Sequence, residues 1–160
     1  MGQVDGKVAL VTGGGSGIGA ACARLAAQRG FDVAVNYNSN ADAAAGVVAE
    51  VERAGRRAIA VQGDMAKEAD VERVFAIVDS KLGPLTHLVY NAGITGAPSR
   101  VDEVTTETLR AVFDLNVMGA FWCARQAIRR ISTKHGGVGG AIVMISSAAA
   151  GLGGPNEYGW

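Results

Sequence analysis

The sequence predicts a doubly wound α/β fold, a mostly parallel sheet of strand order 3-2-1-4-5 with helices on both sides. Three observations lead there. Short apolar runs alternate with helical patterns along the whole chain, and a glycine-rich turn joins the first run to the first helical pattern. The last run, Ile142-Val143-Met144-Ile145, is continuously apolar, as a strand buried on both faces is. Right-handed crossovers between such strands force a parallel sheet covered on both sides.

Strand patterns fall at residues 7–11, 32–37, 57–62, 86–90 and 140–146. The first, Val8-Ala9-Leu10-Val11, runs into Thr12-Gly13-Gly14-Gly15-Ser16-Gly17-Ile18-Gly19. Gly13, Gly17 and Gly19 divide three physical roles among them. One allows backbone angles closed to other residues, one lets the main chain approach a diphosphate, and one packs the helix close on the strand. The amides at the helix start and the positive end of its dipole favour an anion there. The first helix is expected to bury Ile18, Ala21, Cys22 and Leu25, the second Ala44, Val47, Val48 and Val51, and the third Val71, Val74, Phe75, Val78 and Leu82. Gly30, Gly55 and Gly83-Pro84 mark the helix ends.

The fourth helical pattern, from about Val104 to about Thr133, is the longest. Leu109, Val112, Phe113, Val117, Ala120, Phe121, Ala124, Ile128 and Ile131 cover one broad face, with Asn116 inside it. An amide on an apolar stripe has two readings, a core Asn satisfied by neighbouring backbone or a functional group; unsatisfied burial would cost about 1–3 kcal/mol.

Composition bounds the function. The 160 residues suit one globular domain, expected over 1–160. Fifteen basic and fifteen acidic residues cancel, so nothing points to nucleic acid or an anionic membrane surface. The N-terminal residues show no apolar signal stretch, and no run is long enough to span a bilayer. Cys22 and Cys123, each in an apolar helical setting, read as reduced thiols of a cytoplasmic protein. His87 and His135 have no Cys, His or acidic companions at ligand spacing, so no metal is expected.

Five short motifs in order, Thr12-Gly13-x-x-x-Gly17-Ile18-Gly19, Gly63-Asp64-Met65, Asn91-Ala92-Gly93, Leu115-Asn116-Val117 and Ile145-Ser146-Ser147, resemble the short-chain dehydrogenase/reductase family along the whole chain. The resemblance implies a Rossmann-like domain that binds NAD(P), with Gly13, Ser16, Gly17, Ile18 and Gly19 around the diphosphate. It implies that Asp64 bonds the adenine amino group with the Met65 backbone beside it, and that Asn91, Ala92 and Gly93 line the adenosine. Asn116 would hold a water in a proton relay. Ser147, chosen over Ser146 because strand alternation would turn only one of them to the cleft and similar sequences use the second, would bond a substrate carbonyl on which charge grows as hydride arrives. Tyr90 departs from the family, which usually has Asn there, and is expected to alter packing near the adenosine.

Cofactor choice is read at the end of the second strand. NAD enzymes place an acid there to hold the ribose hydroxyls. Here Tyr37 stands in that place, flanked by Asn36, Asn38, Ser39 and Asn40, which can donate to a 2′-phosphate. NADP is favoured over NAD, although no Arg or Lys lies in the segment and Ser16 sits where NADP-preferring relatives often carry a basic residue.

The resemblance also implies a Tyr followed four residues later by Lys as the acid–base pair. Tyr158 lies near the place, but its partner would fall beyond Trp160. The expectation is that residues 1–160 are the N-terminal part of a longer dehydrogenase lacking the family's C-terminal strands, with the fifth strand a bare apolar edge and the long helix short of a partner. Such a chain would bind cofactor weakly and turn over negligibly. The expected function is hydride transfer between NADP(H) or NAD(H) and an alcohol or carbonyl, in a protein that forms dimers or tetramers at full length. The alternative is a non-catalytic nucleotide-binding or interaction module of the same fold. A methyltransferase is disfavoured because Asn91, Asn116 and Ser147 would then be coincidences.

Overall fold

The computed structural model describes residues 6–152. In chain order they form β1 (Val8–Val11), α1 (Gly17–Gln28), β2 (Asp32–Tyr37), α2 (Ala41–Arg53), β3 (Ala58–Gln62), α3 (Glu68–Leu82) and β4 (His87–Tyr90). There follow α4 (Thr106–Phe113), a π-helical turn (Asp114–Gly119), α5 (Ala120–Ile131), β5 (Ala141–Met144) and a short α6 (Ala149–Leu152). The five strands are parallel, in the order β3-β2-β1-β4-β5 that the sequence predicts. Leu10 pairs with Ala34 on one side and Leu88 on the other, so β1 is central.

Alternation along the strands divides the core in two. Leu10, Ala34, Val61 and Leu88 join Val74, Phe75 and Val78 of α3 and Cys123, Ala127 and Ile131 of α5 on one face. Val11, Val33 and Val35 meet Ala20, Ala23 and Ala27 of α1 and Ala44, Val47 and Val51 of α2 on the other. The second and third helices bury the stripes expected of them, apart from Val48, which is half-buried.

The first helix does not. Ile18 and Leu25 are 61% and 51% exposed, while Ala20, Ala23 and Ala27 face the sheet. The reason is the turn before it: Gly19 lies so close that a Cβ there would sit 2.4 Å from the Gly13 carbonyl oxygen, and only small side chains follow at that separation.

At the opposite end of the sheet Asp32 is buried against Arg56 (2.9 Å) and Arg57 (2.7 Å), joining β2 to the start of β3. Burial alone would push its carboxyl up. The side-chain and backbone bonds from Arg57 and the Arg56 charge outweigh that and hold it below the usual range.

The long helix is continuous from Thr106 to Ile131, but the π turn interrupts its α-helical register. Its buried side is Val112, Gly119, Cys123, Gln126, Ala127 and Ile131, which differs from the expected face. Of that face, Phe113 (58% exposed), Phe121 (70%) and Ile128 (48%) lie open, together with Val143 and Met144 of the edge strand β5. No helix among the described residues is long and apolar enough to cross a membrane.

Candidate dinucleotide and active site

The site forms where the strands end. Gly13 and Gly17 take positive φ angles of 59° and 52°, which the turn requires and L side chains disfavour. Gly13 packs against Ala92 and Asn91, and Gly19 against Gly13, but a Cβ on Gly17 would meet nothing within 4 Å. Ser16 precedes α1 without capping it through its side chain, so the first-turn amides have neither intrahelical acceptors nor that hydroxyl. An open, glycine-floored helix N-terminus of this kind fits a diphosphate.

A network of hydrogen bonds fixes the turn. Thr12, fully buried, accepts at Oγ1 from the amides of Asn91 (2.9 Å) and Ala92 (3.1 Å). Asn91 returns Nδ2 bonds to the carbonyls of Thr12 (3.1 Å) and Gly13 (3.0 Å). On the other side Asn36 Oδ1 accepts from the Gly13 amide, and its Nδ2 donates to the carbonyls of Val61 and Gly63 at 3.2 and 3.0 Å. The first and second strand ends, the loop after β3 and the loop after β4 are thereby held in one frame.

These bonds give Asn36 a different role from the one the sequence suggested. It is 2% exposed and its amide is engaged by backbone, so it braces the turn from beneath; Asn38, Ser39 and Asn40 are exposed polar groups after β2, Asn40 accepting from the Ala43 amide at the start of α2. Tyr37 is half-buried against the α1/α2 core. Asp64 accepts at Oδ1 from the Ala66 amide (3.0 Å) and lies 3.6 Å from Lys67 Nζ. The Met65 side chain is buried beside Cys123.

An open cleft of about 710 Å³ lies at the other end of the site. Ile18, Asn91, Gly93, Asn116 and Ser147 line it, and so do the exposed Phe113 and Phe121. Gly13, Ser16, Gly17, Gly19, Tyr37, Asp64 and Met65 do not line this cleft. Ile18 and Asn91 therefore connect the turn to it. Asn116, half-buried on the π turn, accepts from the Ile94 amide at 2.9 Å and donates to the Ile94 carbonyl at 2.7 Å. Its side chain is thus satisfied by neighbouring backbone, the plainer of the two readings of an amide on that stripe.

β5 ends at Met144, so Ser146 and Ser147 lie past it and strand alternation does not choose between them. Both line the cleft. Ser147 Oγ accepts from the Ala149 amide at 3.2 Å, which occupies a lone pair and leaves the hydroxyl proton to donate.

Sequence reasoning passed over the side chain of Thr12 and the main chain of Ile94. A Thr at the end of an apolar strand was the available signal for the first; nothing local marks the second, which is visible only through Asn116. Tyr158 lies outside the described residues. Among the described residues no His, Cys, Asp and Glu group is placed to hold a metal ion.

Residues 7–159 match the short chain dehydrogenase family. The chain belongs to that family. Among its relatives, the uncharacterized oxidoreductase YgfF of Escherichia coli K12 is 46% identical over 94% of this chain and 61% of its own length. The hydroxynaphthalene reductase arp2 of Aspergillus fumigatus is 40% identical over 96% of this chain and 54% of its own. A short chain dehydrogenase from Burkholderia cenocepacia, solved in complex with NADP, superposes with a TM-score of 0.89 at 39% identity, over 98% of this chain and 61% of that one. The present short chain dehydrogenase thus spans little more than half the length of these relatives.

Proposed function

We propose that this chain carries the cofactor half of an oxidoreductase moving hydride between NADP(H), in preference to NAD(H), and an alcohol or carbonyl substrate. The observation that carries the reading is the unobstructed Gly17 at the uncapped start of α1, continuous through Ile18 with the cleft. The bound nicotinamide would supply or accept the hydride, and the chain's residues bind, orient and polarise.

Gly13, Ser16, Gly17, Ile18 and Gly19 hold the diphosphate on backbone amides. Asn38 and Ser39 receive a 2′-phosphate beyond Tyr37, in a segment, residues 35–40, that holds no acid. Asp64 and the Met65 main chain face the adenine, and Asn91, Ala92 and Gly93 line the adenosine. Ser147 aims its proton at the substrate oxygen, stabilising charge as it develops there. Asn116, with its side chain bonded to Ile94, holds a water in the proton relay. Among the described residues no tyrosine is followed four residues later by a lysine, so the reading gives this chain binding and orientation and no proton donor of that kind. The NADP in the Burkholderia cenocepacia complex supports the cofactor preference.

The full-length protein is further proposed to be a cytoplasmic homo-oligomer that takes small molecules and neither nucleic acid nor membrane. The apolar strip of Phe113, Phe121 and Ile128 is the surface a second copy would cover.

Fluorescence titration with NADPH and NADH, followed by a carbonyl panel, tests the reading. NADPH binding tighter than NADH without turnover is the expected result; no binding of either nucleotide refutes it.

A further inference from the structure

We infer that Tyr90 is a positioning residue, holding the π turn in the register that brings Asn116 to Ile94 at the cleft. The inference deepens the proposed reading and rests on it for the function of Asn116. Tyr90 ends β4 with its ring buried in the α3/α5 core. Its hydroxyl donates to the carbonyl of Leu115, the residue next to Asn116.

The same hydroxyl supports the far end of the turn. A Cβ on Gly119 would lie 2.6 Å from Tyr90 Oη and 2.4 Å from the Met65 carbonyl oxygen, so the turn rests directly on both. The π turn therefore touches the loop after β3 at Met65, the end of β4 at Tyr90 and the loop after β4 at Ile94.

A π turn holds one residue more than the α-helical path and survives only where its surroundings favour it. Returning to α register would rotate one side of the turn against the other by about 100°. Asn116 could not then keep both bonds to Ile94. Tyr90 supplies a buried donor at the carbonyl where that slip would begin. Burial drives its ionisation far above the usual phenol range, so the proton stays in place to donate.

The test is Tyr90→Phe in the isotope-labelled chain, read by amide exchange and by the side-chain amide signals of Asn116. Exchange at residues 115–120 should quicken at least tenfold and the Asn116 signals should move, while Leu10 and Val33 stay within twofold. Unchanged exchange at 115–120, or equal quickening everywhere, overturns the inference, because a residue that merely fills the core would weaken all sites together. Should the variant not fold, the wild-type chain decides: a slowly exchanging Tyr90 hydroxyl proton close to the Leu115 and Asn116 amides is expected, and its absence is fatal. NADPH titration of the wild type is read separately, so a failure to bind sinks the proposed function and leaves the exchange result standing. In the full-length protein the Phe variant should lower kcat and leave KM for NADPH within twofold.

Discussion

Asn116 and Ile94 are joined by a reciprocal pair of hydrogen bonds, 2.9 Å from the Ile94 amide and 2.7 Å to its carbonyl. This clamp ties the long helix to the loop after β4. Replacing Asn116 with Ala removes both bonds from a half-buried place and should lower stability by about 1–3 kcal/mol. Urea unfolding reads the stability, and proteolysis at residues 93–100 reads the loosened loop. An unchanged urea midpoint would show that the clamp contributes nothing.

Gly17 and Gly19 separate binding from folding. At Gly19 an added methyl meets the Gly13 carbonyl at 2.4 Å and Asn91 Nδ2 at 2.6 Å, so Gly19→Ala should destabilise by about 1–3 kcal/mol through overpacking. At Gly17 the methyl meets nothing, and the penalty is the left-handed backbone, about 1–2 kcal/mol. Yet that methyl stands over the amides proposed to take the diphosphate. Gly17→Ala should therefore weaken NADPH binding at least tenfold while keeping a sharp unfolding transition, as fluorescence titration and thermal melts will record.

Tyr37→Asp puts a carboxylate where the proposed 2′-phosphate is received. At 4 Å and an effective dielectric near 20 the repulsion is about 4 kcal/mol per charge pair, reduced by salt at an exposed site. NADPH affinity should fall at least tenfold and NADH affinity should hold or rise. Equal loss for both nucleotides would place the adenosine ribose elsewhere.

His87 gives the fold a pH dependence. It sits half-buried at the start of β4, bonded to Thr86 Oγ1 at 2.9 Å and edge-on to Phe31 with ring centroids 4.7 Å apart. Burial, and then the charge of Lys7, hold its pKa below the ordinary value of 6.5. Folding therefore favours neutral His87. Its contribution is present above pH 6.5 and is lost as pH falls from there through the folded pKa, because the unfolded chain protonates first. Urea midpoints between pH 8 and 5 should fall on the acid side, and His87→Phe should flatten that part of the curve.

Topology, and the gathering of the motif residues at the strand ends, were already legible in the amino-acid sequence. Alternating apolar runs and helical stripes give each strand and helix a face to bury, and the right-handed crossover leaves few sheets that can satisfy them. The motifs of Gly13 to Gly19, Asn91 to Gly93 and Asn116 could be read because each sits at a strand end or on a helix with a fixed period. The packed molecule was needed to show which way the large side chains of α1 face, since the Gly19 contact brings that helix too close for Ile18 and Leu25 to turn inward. It was needed again to show that Asn36 braces the turn with its side-chain amide, and that the long helix bends its register over Tyr90. Those outcomes depend on distances between segments far apart in the chain, and periodicity within one segment carries no information about them.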